Sequence, residues 1–399
     1  MFRILVVATY DSFLKSGINL AKRISHSKID IAIQYVKKHQ LSMRQLEECE
    51  ADKFHILDFH TLKDSDFSNY DIVIISLGNI ASNQLIIRLH LLEKRPLMIS
   101  CFSGVIFGNA ESILFRINAD ILLVNNEYDR RIAQNIADEY NLNTSIINYG
   151  LVNIDTSFHK LPKTGKNLFF IDQVKVPSLK SERRYVLDKL IELARQNPDY
   201  CIFLKTRLSK NEITVHNDIF PYTTLLRDKK DIPENFRLFN DPIEIAFTQM
   251  SACISFSSSV ALEAIYYGIP TYIIKDLGIS ERFYNPAFLQ SGLLTSFDDL
   301  QGLSEFSNCI NPQWFDMQVR FKEERDKLLN ELIKRLFFLN RNIKKTSFSS
   351  FPIPQKNRLY RKFRKLLVSP RSFFRDTKFI RNLKNSHTNF NILRIKRKK

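Results

Sequence analysis

Glycine is scarce, with only 10 in 399 residues, and the scarcity already excludes chemistry. No G-x-G-x-x-G follows the first apolar run, and neither G-x-x-x-x-G-K-[ST] nor G-x-S-x-G occurs. Dinucleotide fingerprints, P-loop cradles and esterase elbows all need those glycines, so all three are disfavoured. The five cysteines (Cys49, Cys101, Cys201, Cys253, Cys309) lie far apart, with no C-x-x-C and no metal-ligand spacing. They suit buried thiols in a reducing compartment better than disulfides or a zinc site. No stretch approaches the ~20 apolar residues of a spanning helix, and the apolar start at Met1–Thr9 is too short for a signal peptide. A cytoplasmic protein without a metal or a resident cofactor is the expectation.

Charge is present but unevenly placed. Residues 341–399 hold 19 Lys and Arg against one acid, Asp376, whereas residues 1–340 hold 40 basic and 41 acidic side chains. A near-neutral body therefore carries a basic tail, and the net charge of +17 describes neither part. With 44% hydrophobic and 25% charged residues the body is globular in composition. Its length suits two domains.

The apolar runs alternate with helical patterns. Strands are expected at Arg3–Thr9, Ile29–Val36, Phe54–Phe59, Asp71–Leu77, Pro96–Cys101, Ala119–Asn125 and Ser145–Asn148, with helices over 13–24, from Gly78 through Leu92, and over 127–140. A polar segment with Pro162 and Gly165 suggests a linker at 155–166. Strands then recur at Asn167–Ile171, Tyr200–Lys205, Arg237–Phe239, Ala252–Phe256 and Thr271–Ile274. Helices are expected over 181–196 with Ser181 as N-cap, 242–249, 259–267 and, as one long amphipathic element crossing back to the first domain, 314–339. Such alternation implies α/β architecture: doubly wound parallel sheets in domains at 1–154 and 167–312, a long helix at 313–340 and a tail at 341–399.

Ligands of doubly wound sheets bind beyond the C-terminal strand ends. The most specific such place is Cys253-Ile-Ser-Phe-Ser-Ser-Ser-Val-Ala-Leu-Glu, a strand running through Ser257, Ser258 and Ser259 into a helix that stops at Gly268-Ile-Pro270. Serine hydroxyls and the free N–H groups of a first helical turn form an anion site. Glu263, one turn on, suits a ribose or sugar hydroxyl. The alternative is a plain serine N-cap above a buried glutamate. Lys205 and Arg207 stand at the end of the Tyr200–Lys205 strand on one side by alternation, followed by His216 and Tyr222; they suit an anionic leaving group or are merely surface cations. After the first strand, Asp11 is placed to act as a base toward an acceptor hydroxyl, with Ser12 and Lys15 beside it; otherwise it caps the next helix. Gly104 and Glu127 are further cleft candidates. Asp64-Ser65-Asp66 has a D-x-D form but precedes a strand instead of ending one.

These residues, with Asp172-Gln173, Pro221-Tyr222, Ile232-Pro-Glu-Asn235, Leu262-Glu-Ala264, Asp276-Leu-Gly278, Ser291-Gly-Leu-Leu294 and Arg116…Ala119-Asp120…Glu127, resemble a bacterial family of GT-B glycosyltransferases over about residues 1–300. That family is similar in layout to capsule and lipooligosaccharide enzymes using CMP-activated acidic sugars (sialic, legionaminic, pseudaminic acids or Kdo). The resemblance implies two Rossmann-like domains facing a cleft, Asp11 as base, Ser257, Ser258 and Ser259 as phosphate site, and a metal-independent transfer to a glycan. It also implies a histidine at the phosphate; here Asn217 follows His216 where the pattern has proline, and Lys205 with Arg207 would substitute. A nucleoside-diphosphate-sugar transferase or sugar-nucleotide epimerase on the same scaffold stays open, as does a catalytically silent, basic-tailed binding protein.

In the tail, Arg361, Lys362, Arg364 and Lys365 surround Phe363, and Phe373 and Phe374 follow Pro370. Cations flanking apolar positions on a helix suit the surface of an anionic membrane. The tail also resembles C-terminal segments of capsule-type transferases, whose acceptors are lipid-linked. A peripheral position on the inner membrane face is thus expected. Nucleic acid is a weaker partner, because RNA readers stack bases on a sheet platform.

Overall fold

The computed structural model describes residues 1–35, 41–156, 165–206, 220–300, 306–307, 309–340, 366–367 and 370. The first sheet has seven strands: β1 (Phe2–Ala8), β2 (Ser27–Ile33), β3 (His55–Asp58), β4 (Ile72–Ser76), β5 (Leu97–Ser100), β6 (Ile121–Val124) and β7 (Ser145–Asn148), ordered β3-β2-β1-β4-β5-β6-β7. All its pairings are parallel. Helices α1 (Asp11–Lys22), α2 (Met43–Glu48), α3 (Asp64–Phe67), α4 (Asn79–His90), α5 (Ala110–Leu114) and α6 (Glu127–Glu139) make the crossovers. The sheet is buried on both faces, which is why β1 and β4 are continuous apolar runs.

The second sheet has six strands, β8 (Asn167–Ile171), β9 (Cys201–Lys205), β10 (Phe236–Phe239), β11 (Ala252–Ser255), β12 (Thr271–Ile274) and β13 (Leu294–Thr295), ordered β10-β9-β8-β11-β12-β13 and again parallel. Its helices are α7 (Lys180–Gln196), α8 (Tyr222–Leu226), α9 (Ile243–Gln249) and α10 (Ser259–Tyr266), followed by α11 (Pro312–Gln318) and α12 (Arg325–Asn340). Each sheet reverses its strand order once, between β1 and β4 and between β8 and β11. At those points the crossovers diverge to opposite sides and open a crevice.

Two expectations change. Residues 314–339 form two helices, not one, because Val319 and Phe321 are both buried (4% and 7% exposed) in an alternation that no helix offers. Phe321 stacks on Tyr266 at 4.9 Å, and its ring lies over Gly150, where a Cβ would fall 2.2 Å from it. Burial of that ring outweighs the helical pattern. Beyond the break, Leu329, Leu332, Ile333 and Leu336 form one helical stripe on the core under β1, β4 and β5. The second change is at α7, whose N-cap is Leu179; Ser181 lies inside the first turn.

No helix among the described residues is long and apolar enough to cross a membrane. Residues 349–399 form a separate unit. Leu366, Leu367 and Pro370, its described residues, are helical, so Pro370 is part of a helix where a break was expected.

Gly17 lets α1 lie close on the first sheet: a Cβ there would sit 2.5 Å from Val6 Cγ1 and 3.3 Å from Ser76 Cβ. Gly17→Val should therefore cost about 1–3 kcal/mol by overpacking. Gly104→Ala, with nothing within 4 Å of the added Cβ, should be neutral. Thermal or urea unfolding of both variants checks this; equal midpoints would show that α1 has room to lift.

Candidate active site

The crevice of the second sheet lies between Asp172-Gln173 after β8 and Phe256-Ser257 after β11. The chain leaves β11 in extended conformation, and Ser258 (φ −65°, ψ 145°) caps α10 by accepting from the Val260 N–H at 3.2 Å. The Ser258 N–H in turn donates to Ser255 Oγ at 3.3 Å. Ser257 is 3% exposed. Its N–H donates to Gln173 Oε1 at 3.0 Å, and its hydroxyl accepts from Gln173 Nε2 at 3.2 Å. Ser258 and Ser259 are half-buried. Among the described residues, the Ser259 hydroxyl and N–H have no protein acceptor, so first-turn donors of α10 are left over for an anion.

Glu263 lies one turn further along α10, 6% exposed, and burial pushes its carboxyl up to about 8, with Lys15 opposing that rise and Glu244 adding to it. Lys15 belongs to α1, under the first sheet's crevice. Its ammonium donates to Glu244 Oε1 on α9 at 2.5 Å. Burial works against the Lys15 charge, but Glu244, backed by Cys49 and Glu263, outweighs it and holds the ammonium above the ordinary lysine value. The starts of α1, α9 and α10 thus share one electrostatic cluster. Lys205, at the end of β9, donates to the Thr206 carbonyl at 2.8 Å. Burial lowers its pKa, with Glu48 of α2 and Glu244 acting against the fall and Arg44 with it.

Asp11 occupies the first turn of α1. The N-cap is Tyr10, with no side-chain cap bond, so Asp11 is not the simple cap that the sequence allowed. Its Oδ1 accepts from the Ser12 N–H at 2.8 Å. Beneath it the Cys49 thiol donates to the Asp11 carbonyl at 3.3 Å. Burial, reinforced by the Asp11 charge, pushes that thiol up to about 12, which keeps it protonated.

Other candidates fall elsewhere. Tyr222 does not line the cleft: it is 1% exposed in the core, edge-on to Phe170 and under the Arg183 guanidinium at 4.0 Å. Its ring is too valuable as apolar surface to be left in water. Glu127 heads α6 but is committed to Arg130, in two bonds of 2.8 and 2.9 Å, and to Arg131 at 3.2 Å. Those hydrogen bonds hold its carboxyl below the usual range, which suits a helix-start ion pair better than a reactive group. The Gly104 carbonyl accepts from Asn125 Nδ2 at 2.7 Å, and open space lies where its side chain would be. Arg207, His216, Arg361, Lys362, Phe363, Arg364, Lys365, Phe373 and Phe374 lie outside the described residues. Asp64 of the D-x-D form pairs with Arg88 at 2.6 Å. Among the described residues there is no group of three or more potential metal-ligating side chains.

Sequence reasoning passed over Glu244 and the bracing behind Gln173. The second is a buried Asp172–Arg183 ion pair (2.9 Å, 5% and 1% exposed) whose arginine also donates to the Gln173 carbonyl at 3.1 Å. The proline before α9, Pro242-Ile-Glu244, marks a helix start and places an acid in its first turn, a signal that was available for Glu244.

Paired doubly wound sheets with facing crevices define the GT-B class. The chain matches the family described as "Putative glycosyltransferase (DUF6716)" over residues 4–335 and belongs to it, which places it among the glycosyltransferase enzymes. Solved structures of similar fold include MnaA of S. aureus with UDP, at 10% identity and TM-score 0.56 over 87% of this chain and 99% of that one. UDP-GlcNAc 2-epimerase of Neisseria meningitidis bound to UDP-GlcNAc is similar at 11% identity and TM-score 0.53, over 84% and 100%. At these identities the likeness establishes fold alone. No curated protein matches the chain.

Glu263 makes stability depend on pH in a definite direction. Its folded pKa, about 8, stands above the ordinary 4.5, so between those values the folded state alone holds the proton. Stability therefore falls as pH rises from about 4.5 to 8 and levels off above. Glu263→Gln should remove that slope, and its melting temperature should gain on the native chain as pH rises. Parallel melting curves from pH 5 to 8.5 would show Glu263 ionised throughout.

Proposed function

We propose that this enzyme transfers an acidic sugar from a CMP-linked donor to a glycan hydroxyl, with the donor phosphate at Ser258 and Ser259. The observation that carries the reading is the unspent N–H and hydroxyl of Ser259 at the start of α10, set in the crevice beside a charge cluster shared with α1. The acceptor oxygen bonds to the anomeric carbon as the bond from that carbon to the phosphate oxygen breaks. Asp11 takes the acceptor proton, and the nucleotide leaves with the electron pair. Serine donors, the α10 dipole and Lys205 stabilise the charge that develops on the phosphate. Glu263, held as a neutral acid at pH 7, is suited to donate to a ribose or sugar hydroxyl. The acidic-sugar donor rests on the sequence resemblance. A uridine-diphosphate sugar is the second reading, favoured by the two solved structures of this fold, which hold UDP and UDP-GlcNAc.

Titration calorimetry with CMP, UDP, GDP and ADP separates these readings. CMP alone should bind if the first holds, UDP alone if the second does, and silence toward all four would leave a binding protein. Ser259→Ala is the cleaner probe, because Ser258→Ala also removes a cap worth about 1 kcal/mol. Loss of a hydrogen bond to a charged phosphate should weaken binding roughly tenfold or more. Asp11→Asn should leave binding intact and abolish transfer; full transfer by that variant would remove Asp11 as base.

The tail adds a membrane to the proposal. Its 19 cations against one acid favour an anionic surface, at about 1 kcal/mol each when close to it. Changing Arg361, Lys362, Arg364 and Lys365 to Gln in the full chain should reduce pelleting with phosphatidylserine vesicles at least tenfold. Unchanged pelleting would detach the tail from lipid.

A further inference from the structure

The groups holding the serine turn are as specific as the turn itself. Gln173 reaches from the end of β8 across the crevice to β11's exit, contacting Ser257 through both ends of its amide. Oε1 accepts from the Ser257 N–H at 3.0 Å, Nε2 donates to the Ser257 hydroxyl at 3.2 Å, and the Ser255 hydroxyl donates to Oε1 at 3.5 Å. A backbone N–H can only donate, so the amide's orientation is fixed. Gln173 itself is fixed from behind by Arg183, which donates to the Gln173 carbonyl and is paired with Asp172 at 1% and 5% exposure. Arg183 also donates to the Pro177 carbonyl and lies over the Tyr222 ring. The core of the second sheet is thereby connected, bond by bond, to the first serine.

A phosphate site made of hydroxyls needs such bracing. Glycine loops place N–H donors by backbone conformation alone, whereas serine hydroxyls rotate and their donor directions are set by neighbours. A donor that is already aimed loses less on binding and is worth more. Gln173 supplies that aim: by donating to the Ser257 oxygen it occupies one acceptor direction there and leaves the Ser257 proton to point elsewhere. By accepting from the Ser257 N–H it fixes the backbone from which Ser258 and Ser259 project.

We propose that Gln173 is the positioning residue of this phosphate site, holding Ser257 so that Ser258 and Ser259 face the donor's phosphate, through its bidentate bridge across the crevice. It rests on the reading of that turn as the nucleotide site. It goes beyond it by requiring a neutral side chain that both donates and accepts at position 173. A carboxylate there would lose the donation and set a negative charge beside the phosphate; a protonated carboxyl would restore both bonds.

That requirement makes the test a pH profile of affinity, read beside the folded stability of each variant. Affinity for CMP and for UDP is measured with the full-length native chain, Gln173→Glu and Gln173→Met from pH 5 to pH 8, and each variant is expressed as a ratio to the native chain at the same pH. The ratio cancels titration of the nucleotide and of Glu263. For Gln173→Glu the ratio should be highest at the acid end, where the carboxyl is most protonated, and fall at least tenfold by pH 8. For Gln173→Met, which has neither bond, it should be reduced about tenfold at every pH. A flat ratio for Gln173→Glu, or native affinity in Gln173→Met, would overturn the proposal while leaving the nucleotide site standing. Absence of nucleotide binding by the native chain would sink the site and the role of Gln173 with it. Because an introduced carboxyl also makes stability depend on pH, the melting temperature of each variant is followed over the same range, and a fall in affinity counts only where the variant stays folded; a fall that merely tracks unfolding would overturn the proposal.

Discussion

One ion pair sets the electrostatic register of the whole site. Lys15 leaves α1 of the first sheet and meets Glu244 on α9 of the second at 2.5 Å. An exposed pair of this kind would be worth little. Here Glu244 is 54% exposed but the lysine only 23%, and its ammonium is held above the usual value despite burial, so on the lysine side the attraction exceeds the desolvation it opposes. Its consequence is geometric. The pair joins α1 to α9, and Glu263 of α10, buried beside it, feels both charges. Burial is the chief reason that Glu263 retains its proton near neutrality, with Lys15 opposing the rise and the Glu244 charge adding to it. Two carboxyls close to one ammonium are thus sorted into an ion-pair partner and a neutral acid, the kind of division that acid–base sites exploit.

The scarcity of glycine and the serine-rich turn are two sides of one solution. Where glycine loops offer a phosphate bare backbone, the site proposed here would offer hydroxyls plus the first turn of α10, held by a glutamine. The cost is a buried ion pair, Asp172–Arg183, whose desolvation is offset only because the arginine is satisfied by carbonyls as well as by the acid. Arg183 lies over Tyr222, so the tyrosine that seemed a cleft residue instead stiffens the base of the same turn.

Legibility in the sequence followed burial. Strands covered on both faces are unbroken apolar runs, and Asn167–Ile171 and Thr271–Ile274 coincide with β8 and β12; Ser145–Asn148 coincides with β7, a half-buried edge strand. The serine turn was legible because a strand, a cap and a helix stop stand in register there. Short helices were not: α2, α3, α5 and α8 have at most six residues, too few to repeat an apolar face. For α2 a signal was present, since Ser42 and Gln45 form a capping box that Ser-x-x-Gln announces. The division of residues 314–339 had no local sign at all, neither proline nor glycine. It is imposed by Phe321 finding Tyr266 and Gly150, contacts that bring together residues distant in the chain. Glu244 and the use of Gln173 were hidden for the same reason, because each acts on an element remote in sequence.

The same long-range logic governs the connection between the sheets. Arg325, 1% exposed at the start of α12, donates to the carbonyls of Tyr149 (2.8 Å), Leu151 (3.0 Å) and Ile154 (2.5 Å). Arg23 adds a second cation at Ile154 at 2.7 Å, and the Tyr149 hydroxyl donates to Asp326. Burial lowers the Arg325 pKa to about 10, still far above any physiological pH, so the charge persists and the carbonyls must serve it. The segment leaving β7 and the helix returning to the first sheet are thereby joined chiefly through backbone carbonyls, with the Tyr149 hydroxyl adding a side-chain bond. The position of α1 relative to the second sheet, and with it the Lys15–Glu244 contact, depends on this junction. The proposed site, with its acid, cation and phosphate donors drawn from opposite sheets, would keep its geometry only if the connection between them is as well satisfied as either core.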